Sequence, residues 1–457
     1  MLNSKLSKQI LNKLHKSNTD FSDLFFEKRQ GTNISFENKK LRNLTTTNSQ
    51  GLGLRAIENL ATSYAYTNIL DTNHLLDIAA NLSHNLSGKT TNQSLNFSII
   101  KPNKTFIDTT SQQEVPHENK ITLCQQANDL AWSLDPRVTQ VTIHYSEQQR
   151  ETLLFNSLGE QTENNQNLIV LHFHVTVKDK KDIFATHDVL AAQAGFNFLT
   201  QNKIDDLVKK TVNRALLNFQ AKPFSGGKLP VVLASDAGGT IIHEAVGHAL
   251  EADLVLNNLS VFADKKDHLI ANPLVTVVDD ATLDEKRGSF SFDDEGIPGQ
   301  RTTLIEKGIL KGFLCDRLSA KRLHCEPTGN GRRESYEHRP ITRMTNTMLL
   351  PGKDKPEDVI KSLHKGLLVK KMGGGQVDTV NGDFVFHVQE GYLVENGKIS
   401  DPVKNITISG NGPQVIKDIE MIASDLDFAS GTCGKHSQYS PVTHAIPTMR
   451  VKELIVG

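Results

Sequence analysis

Two histidines and two glutamates are gathered in one short segment near the middle of the chain, residues 243–251. The alanine and leucine around them favour a helix. On a helical wheel of about 100° per residue, His243, Glu244, His248 and Glu251 share one face, and the opposite face is apolar. Neutral imidazoles bind zinc, and a nearby carboxylate that is not a ligand can accept a proton from the metal's water. The segment therefore predicts a metal-binding helix. The alternative is a buried amphipathic helix whose histidines only form hydrogen bonds.

The spacing of the two histidines departs from the usual zinc-protease pattern. In that pattern the histidines are four positions apart and lie one above the other. His243 and His248 are five apart, and on a regular helix they would diverge by about 140°. A π-bulge near Gly247 would align them, and such bulges cluster at functional sites. Otherwise the metal lies over the gap and is reached by long side chains. The glycine would let a metal, a substrate or a neighbouring backbone come close.

A third ligand has several candidates. Cys433 is flanked by Gly431 and Gly434, so a tight loop could present its thiolate to a metal. An ordinary small buried cysteine is the equal alternative. Cys315 and Cys325 lack the short spacing of zinc ribbons and are expected to be buried thiols. The other candidates for the third ligand are Glu251, His436 and His444.

Two further polar clusters follow in the second half of the chain. Residues 293–295 are acidic but lack the spacing of a dedicated calcium loop, so a solvated or arginine-paired turn is favoured over a calcium or magnesium site. Arg332 and Arg333 follow a Gly-Asn-Gly turn. They could be exposed and hold a peptide carboxylate, or they could pair with the acidic clusters. The residues alone leave both open.

A series of ordered motifs resembles the TldD/PmbA family of metalloproteases, in its TldD type of subunit. The motifs are HEAVGHALEAD, DDEGIPGQ, PTGNGRRES, MTNTMLLPG, GGGQVD and a late CGK. The resemblance runs from about Asp23 to the end and is densest after Pro230. It implies that His243, His248 and Cys433 bind Zn²⁺, with Glu244 as the general base.

The same resemblance implies a zinc-dependent peptidase that degrades or processes unfolded peptides. It implies a partner as well, either a related PmbA-like subunit in a heterodimer or a second copy of the chain. The two subunits would enclose a cavity in which edge strands hold the substrate. Two alternatives stay open: a non-catalytic, peptide-binding subunit of the same family, and a zinc hydrolase that acts on a non-peptide amide.

Composition narrows the class of protein. A chain of 457 residues with 37% hydrophobic and 23% charged residues is typical of a soluble protein of two domains. A net charge of −1 gives no overall attraction to nucleic acid or acidic lipid. Continuous apolar stretches long enough for a signal peptide or a membrane span are missing, so no membrane association is expected. Scattered cysteines favour the cytoplasm.

The order of helical and strand patterns predicts an α+β fold of two domains. Residues 1–222 would form an N-terminal α+β domain, and residues 223–457 a mostly antiparallel β domain that carries the metal-site helix. Prolines and adjacent glycines mark the boundary. More local expectations are Thr240 as the N-cap of the metal-site helix, a helix over 356–367, separate strands over 138–145 and 151–155, and an irregular stretch over 90–116.

Overall fold

The computed structural model describes residues 2–91, 94–106, 115–378 and 380–457. Its first half is a long sheet in the strand order β3-β2-β1-β5-β6-β4, with β7 also paired to β6. Neighbouring strands are antiparallel except for the short parallel pair β4–β6. The strands are β1 Phe21–Glu37, β2 Lys40–Glu58, β3 Ala61–Thr67, β4 Ser98–Ile99, β5 Val138–Asn156, β6 Glu160–Asp179 and β7 Asp182–Gln193.

Helices cover one face of this sheet. Their apolar stripes bury alternate strand residues such as Leu24, Ile143 and Phe173, as expected for a sheet with one packed face. The opposite face is directed partly at the second half of the chain. The helices are α1 Ser4–Leu14, α2 Thr72–Ser83, α3 His117–Leu134 and α4 Gln201–Leu217.

The second half of the chain contains two larger sheets with a hydrophobic core between them. The first has the order β16-β9-β23-β19-β17-β18-β8, and because β16 also pairs with β17, five of its described strands close into a ring. The second has the order β12-β11-β10-β15-β22-β21. The strands are β8 Lys222–Pro223, β9 Gly227–Leu233, β10 Val277–Asp280, β11 Arg301–Glu306, β12 Ile309–Leu310, β13 Gly331–Arg332, β14 Ile341–Thr342, β15 Asn346–Leu349, β16 Lys365–Val377, β17 Asp383–Glu395, β18 Lys398–Lys404, β19 Thr407–Asn411, β20 Ile419–Ile422, β21 Asp427–Lys435, β22 Gln438–Ile446 and β23 Met449–Val456.

Short helices connect these strands. Those over residues 240–242 and 252–256 contribute buried residues to the hydrophobic core. The helices are α5 Thr240–Ile242, α6 Ala252–Leu256, α7 Arg317–Leu323, α8 Pro356–Lys361 and α9 Gly412–Lys417. The mixed α+β fold is therefore confirmed. The boundary between residues 222 and 223 stays a prediction. Within the described residues no helix is long and apolar enough to cross a membrane.

Three local expectations were wrong. The predicted helix over 356–367 ends at Lys361, because Leu367 and Leu368 are adjacent strand residues buried in different clusters on opposite faces of a sheet. Residues 138–145 and 151–155 belong to one strand, β5, since Glu147 and Arg150 between them are buried in ion pairs and continue the pairing.

The third concerns the start of α5. Gly239, and not Thr240, is the N-cap residue. A Cβ at this glycine would lie 2.5 Å from the backbone nitrogen of Ala445, so the close approach of β22 accounts for the glycine. Of the stretch predicted to be irregular, residues 92–93 and 107–114 lie outside the described residues. The rest holds the short strand β4.

The acidic cluster joins the two halves of the chain. Asp294 forms an ion pair with Arg150 at 2.9 Å, and Glu295 forms one with Arg55 at 2.5 Å. All four side chains are buried, and burial of charge is tolerated when the charges are paired and hydrogen-bonded. The arginine-paired turn predicted for residues 293–295 is confirmed, although it is buried and not solvated.

Arg332 and Arg333 are buried as well, so the expectation that they are exposed was wrong. Arg333 donates to the backbone oxygen of Asp294 at 2.7 Å, in agreement with pairing to the acidic cluster. Arg332 donates to the carbonyl oxygens of Met344 and Pro441. Their guanidinium groups are used inside the fold, which disfavours the peptide-carboxylate role.

Candidate metal centre

The segment that carries both histidines is not a regular helix. After α5, residues 243–247 form one π-helical turn, and the backbone N–H of His248 donates to the carbonyl of His243, five residues earlier. A 3-10 turn, His248–Leu250, then ends the helix before α6. The π-turn inserts one extra residue between the histidines, and their ring centroids lie 5.0 Å apart. The predicted π-bulge is confirmed.

The apolar side of this segment anchors it in the core between the two sheets. Ile241, Val246 and Leu250 are fully buried there. A Cβ on Gly247 would lie 2.1 Å from the sulfur of Met344, so the space beside this glycine is filled by a core side chain. The expectation that Gly247 leaves room for a metal or substrate was therefore wrong.

The structure brings His243, His248 and Cys433 together. The sulfur of Cys433 lies 3.2 Å from Nε2 of His243 and 3.1 Å from Nε2 of His248. One potential ligand atom from each residue lies within 4.8 Å of the others, and all three residues are buried. Among the residues that the structure describes, no other group of three His, Cys, Asp or Glu side chains converges in this way.

Cys433 reaches the cluster from a strand and not from a tight loop, which corrects the expectation from its flanking glycines. It lies in β21 and is paired in register with Ser440 of β22. The strand alternates here, because Thr432 and Gly434 are exposed while Cys433 between them is buried. A strand fixes the direction of the thiol more firmly than a glycine loop would.

The other candidates for a third ligand have different positions. Glu251 accepts a hydrogen bond from Nδ1 of His248 at 2.8 Å, on the side of the ring away from Cys433. His436 is exposed in the turn after β21. His444 is buried, with its ring centroid 5.6 Å from that of His243, but it does not belong to the converging group.

A series of charged side chains contacts His248 on the side of its ring away from Cys433. Nζ of Lys435 lies 3.0 Å from Glu251 and 2.7 Å from Asp253. Burial raises the pKa of the Glu251 carboxyl, but Lys435 and His248 outweigh burial and hold that pKa well below its usual range. Burial lowers the pKa of His248, yet Glu251 and the contact with Cys433 raise it well above the ordinary value. Such a carboxylate fixes the tautomer of a ligating histidine and increases its basicity. Sequence reasoning placed Glu251 on the right face but could not see this pairing.

Glu244 lies beside the cluster without belonging to it. Its carboxylate is 3.9 Å from Nε2 of His248, and 28% of its side chain is exposed. Burial raises the pKa of Glu244 above its ordinary value, which suits a group that accepts and returns protons. Burial also lowers the pKa of His243 well below its ordinary value, which favours the neutral ring. A neutral imidazole is the form that binds metal.

The donor set fits zinc. Zinc–nitrogen bonds of about 2.0–2.1 Å and zinc–sulfur bonds of about 2.3 Å give a nitrogen–sulfur separation of about 3.5 Å in a tetrahedral site. The observed separations of 3.1 and 3.2 Å are close to this value. Imidazole and thiolate donors favour zinc over magnesium or calcium, which prefer oxygen. Three protein donors leave one position of a tetrahedral site free, as catalytic zinc sites require.

Comparison with known proteins agrees with this class of site. Models of PmbA/TldA metallopeptidases match three successive parts of the chain: domain 1 over residues 22–86, the central domain over 111–219 and the C-terminal domain over 226–457. The chain belongs to the PmbA/TldD family of metallopeptidases.

Two curated relatives and one solved structure give the similarity in more detail. A metalloprotease TldD homolog of Buchnera aphidicola subsp. Schizaphis graminum is 34% identical, over 96% of this chain and 93% of that protein. A zinc metalloprotease TldD homolog of Saccharolobus solfataricus is 31% identical, over 74% of this chain and 76% of that protein. The structure of TldE from Thermococcus kodakarensis has the same fold, with a TM-score of 0.77 at 18% identity over 96% of this chain and 97% of that one.

Proposed function

We propose that this protein is a zinc-dependent peptidase that hydrolyses unfolded polypeptides in the cytoplasm. His243, His248 and Cys433 would hold the zinc, and Glu244 would act as general base. The observation that carries the proposal is the convergence of two imidazole nitrogens and one thiol sulfur beside a partly exposed glutamate. The family supports the peptidase class, and the name of the Saccharolobus relative supports zinc.

A zinc ion in this site would supply an activated water and polarise the scissile carbonyl. The residues of the chain do the rest. Glu244 accepts a proton from the water and returns it to the leaving amine, since a carboxylate with a raised pKa can do both near neutral pH. Glu251 and Lys435 hold the ring of His248 in one orientation.

The partner that we propose is a related PmbA-like subunit or a second copy of this chain. The family resemblance supports this assignment. Two other functions would use the same fold. A non-catalytic, peptide-binding subunit would not need Glu244 beside three converging donors, so the site disfavours that function. A zinc hydrolase of a non-peptide amide would use the same residues and differ only in substrate.

The substrate class can be tested by digestion. If a shared cavity admits only extended chains, the protein with its partner should cleave an unfolded polypeptide and spare the same polypeptide when it is stably folded. The measurement follows fragments of one small domain by mass spectrometry, in its native form and in a destabilised variant that is unfolded at the same temperature. Equal cleavage of both forms would rule out the cavity. If neither form is cleaved but a small amide is hydrolysed, the result would favour a zinc hydrolase that acts on a non-peptide amide.

A further inference from the structure

Four histidines form a second cluster on the N-terminal sheet, far along the strands from the residues that contact the acidic cluster. His144 lies on β5, His172 and His174 lie on β6, and His187 lies on β7. His144 is directly opposite His172 in register, and His174 is directly opposite His187. Residues two apart on a strand share a face, so all four side chains project from the same face. This set is called the histidine patch.

The patch lies on the face opposite to the helices. Ile143, Phe173 and Val175 alternate with the patch residues and are buried under α3 and α4. The four histidines themselves are exposed. The packing of the core therefore does not explain why these positions carry imidazoles.

The rings lie near one another, although their nitrogens do not converge as the donors of the buried cluster do. Their centroids are 5.3 Å apart for His174 and His187, 6.1 Å for His144 and His174, and 6.3 Å for His172 and His174. Two imidazoles on one ion, with nitrogen–metal bonds of about 2.0–2.1 Å, have centroids roughly 5 Å apart. Exposed side chains change rotamer within nanoseconds, so a metal that binds here would be met by rotation of the rings.

The surroundings of the patch favour a cation over an anion. His144, His174 and His187 line a surface hollow of about 330 Å³, together with threonine and glutamine side chains. Among the described residues, the lining of this hollow contains no lysine or arginine that could attract an anion. Arg287 lies near His172, but its guanidinium donates to the carbonyl of Gly431 and the hydroxyl of Thr432.

Three of the four rings have a lowered pKa. Partial burial and then the neighbouring His174 lower the pKa of His172 to about 4. Burial and then the neighbouring imidazoles lower the pKa of His174. Burial lowers the pKa of His187 as well, Asp188 opposes this shift, and Lys371 and Arg214 add to it. For these three histidines the lowered pKa favours the neutral ring, which is the form that binds a metal.

We propose that the histidine patch binds a divalent transition-metal ion of the zinc, copper or nickel type, at a site separate from the buried cluster. His174 and His187 would be the central ligands, and His144 and His172 would contribute from either side. Imidazole donors suit these ions, whereas magnesium and calcium prefer oxygen. The site would be open to solvent, so its ion would exchange more readily than one held by buried residues.

Zinc counting on the full-length chain tests the proposal. After equilibrium dialysis against excess Zn²⁺, wild type should retain about two zinc ions per chain and the double variant H174Q/H187Q about one. The control variant H268Q/H364Q replaces two exposed histidines outside the patch and should match wild type. Cys433→Ala should keep the patch ion, so failure of the proposed peptidase site would be seen separately.

A second measurement identifies the ligands. Cu²⁺ added to zinc-loaded wild type should give an electron paramagnetic resonance spectrum with imidazole nitrogen couplings, and H174Q/H187Q should lose that signal while H268Q/H364Q keeps it. Circular dichroism checks that the variants are folded. Retention of the extra ion by H174Q/H187Q, or the absence of any extra ion in wild type, would overturn the proposal.

Discussion

Replacing Glu244 with glutamine should lower peptide turnover by at least about 100-fold, the lower end of the loss expected for a missing general base. Glutamine keeps the size of the side chain and removes the group that accepts the proton. Because Glu244 lies outside the converging donors, the zinc content and melting temperature of the variant should stay close to those of wild type. Zinc and turnover must be measured on the same preparation.

Other roles for Glu244 give different results in these two assays. If Glu244 only solvated one face of the segment, glutamine would leave both zinc and turnover nearly unchanged. If Glu244 were a ligand, zinc would fall together with turnover. A matched control is Glu334→Gln, which removes a carboxylate from a partly buried position near the start of β22 and should keep both zinc and turnover.

Cys433→Ala should remove the buried zinc and abolish hydrolysis. It deletes one of three protein donors, so its effect on zinc affinity should exceed the roughly 10–100-fold loss that is typical of a residue behind a ligand. Cys315→Ala and Cys325→Ala are the controls, because their sulfurs lie 3.7 Å from each other and outside the converging group. Both controls should keep zinc and activity. Metal analysis by mass spectrometry after gel filtration makes the comparison.

Glu251→Gln separates a ligand from a residue that positions one. Glu251 holds Nδ1 of His248 and is itself held by Lys435, so its loss should weaken zinc binding by about 10–100-fold without eliminating it. A competition titration with a chelator measures the affinity. If Glu251→Gln lost the zinc altogether while Cys433→Ala retained it, the third ligand would be Glu251 and the assignment of Cys433 would be wrong.

The sequence predicts the parts of this site that depend on local spacing. The separation of His243 and His248 by five positions indicates that a π-bulge would align them, and the π-turn is present. Glu244 follows His243 directly, so a helical conformation places it close to the histidine cluster. The α+β class follows from the alternation of helical and strand patterns in the same way.

Features that depend on distant parts of the chain could not be predicted in this way. The glycines around Cys433 resemble a loop, but pairing with β22 makes the segment a strand. The sequence around Arg333 suggests an exposed cation. In the structure its guanidinium donates to the backbone oxygen of Asp294 at 2.7 Å, inside the interface with the N-terminal sheet. Lys435 likewise lies 184 residues from Glu251 in the chain and contacts it at 3.0 Å. Local pattern carries no information on such contacts.

The central claim is that peptide hydrolysis depends on the zinc in the buried cluster, and one experiment measures this directly. Tightly bound zinc and turnover of an unfolded polypeptide are recorded on one preparation, before chelation, after chelation and after zinc is restored. About one tightly bound zinc per chain is expected at the start. Turnover should be lost when this zinc is removed and should return with it. A metal-free protein that still cleaves the polypeptide would contradict the account.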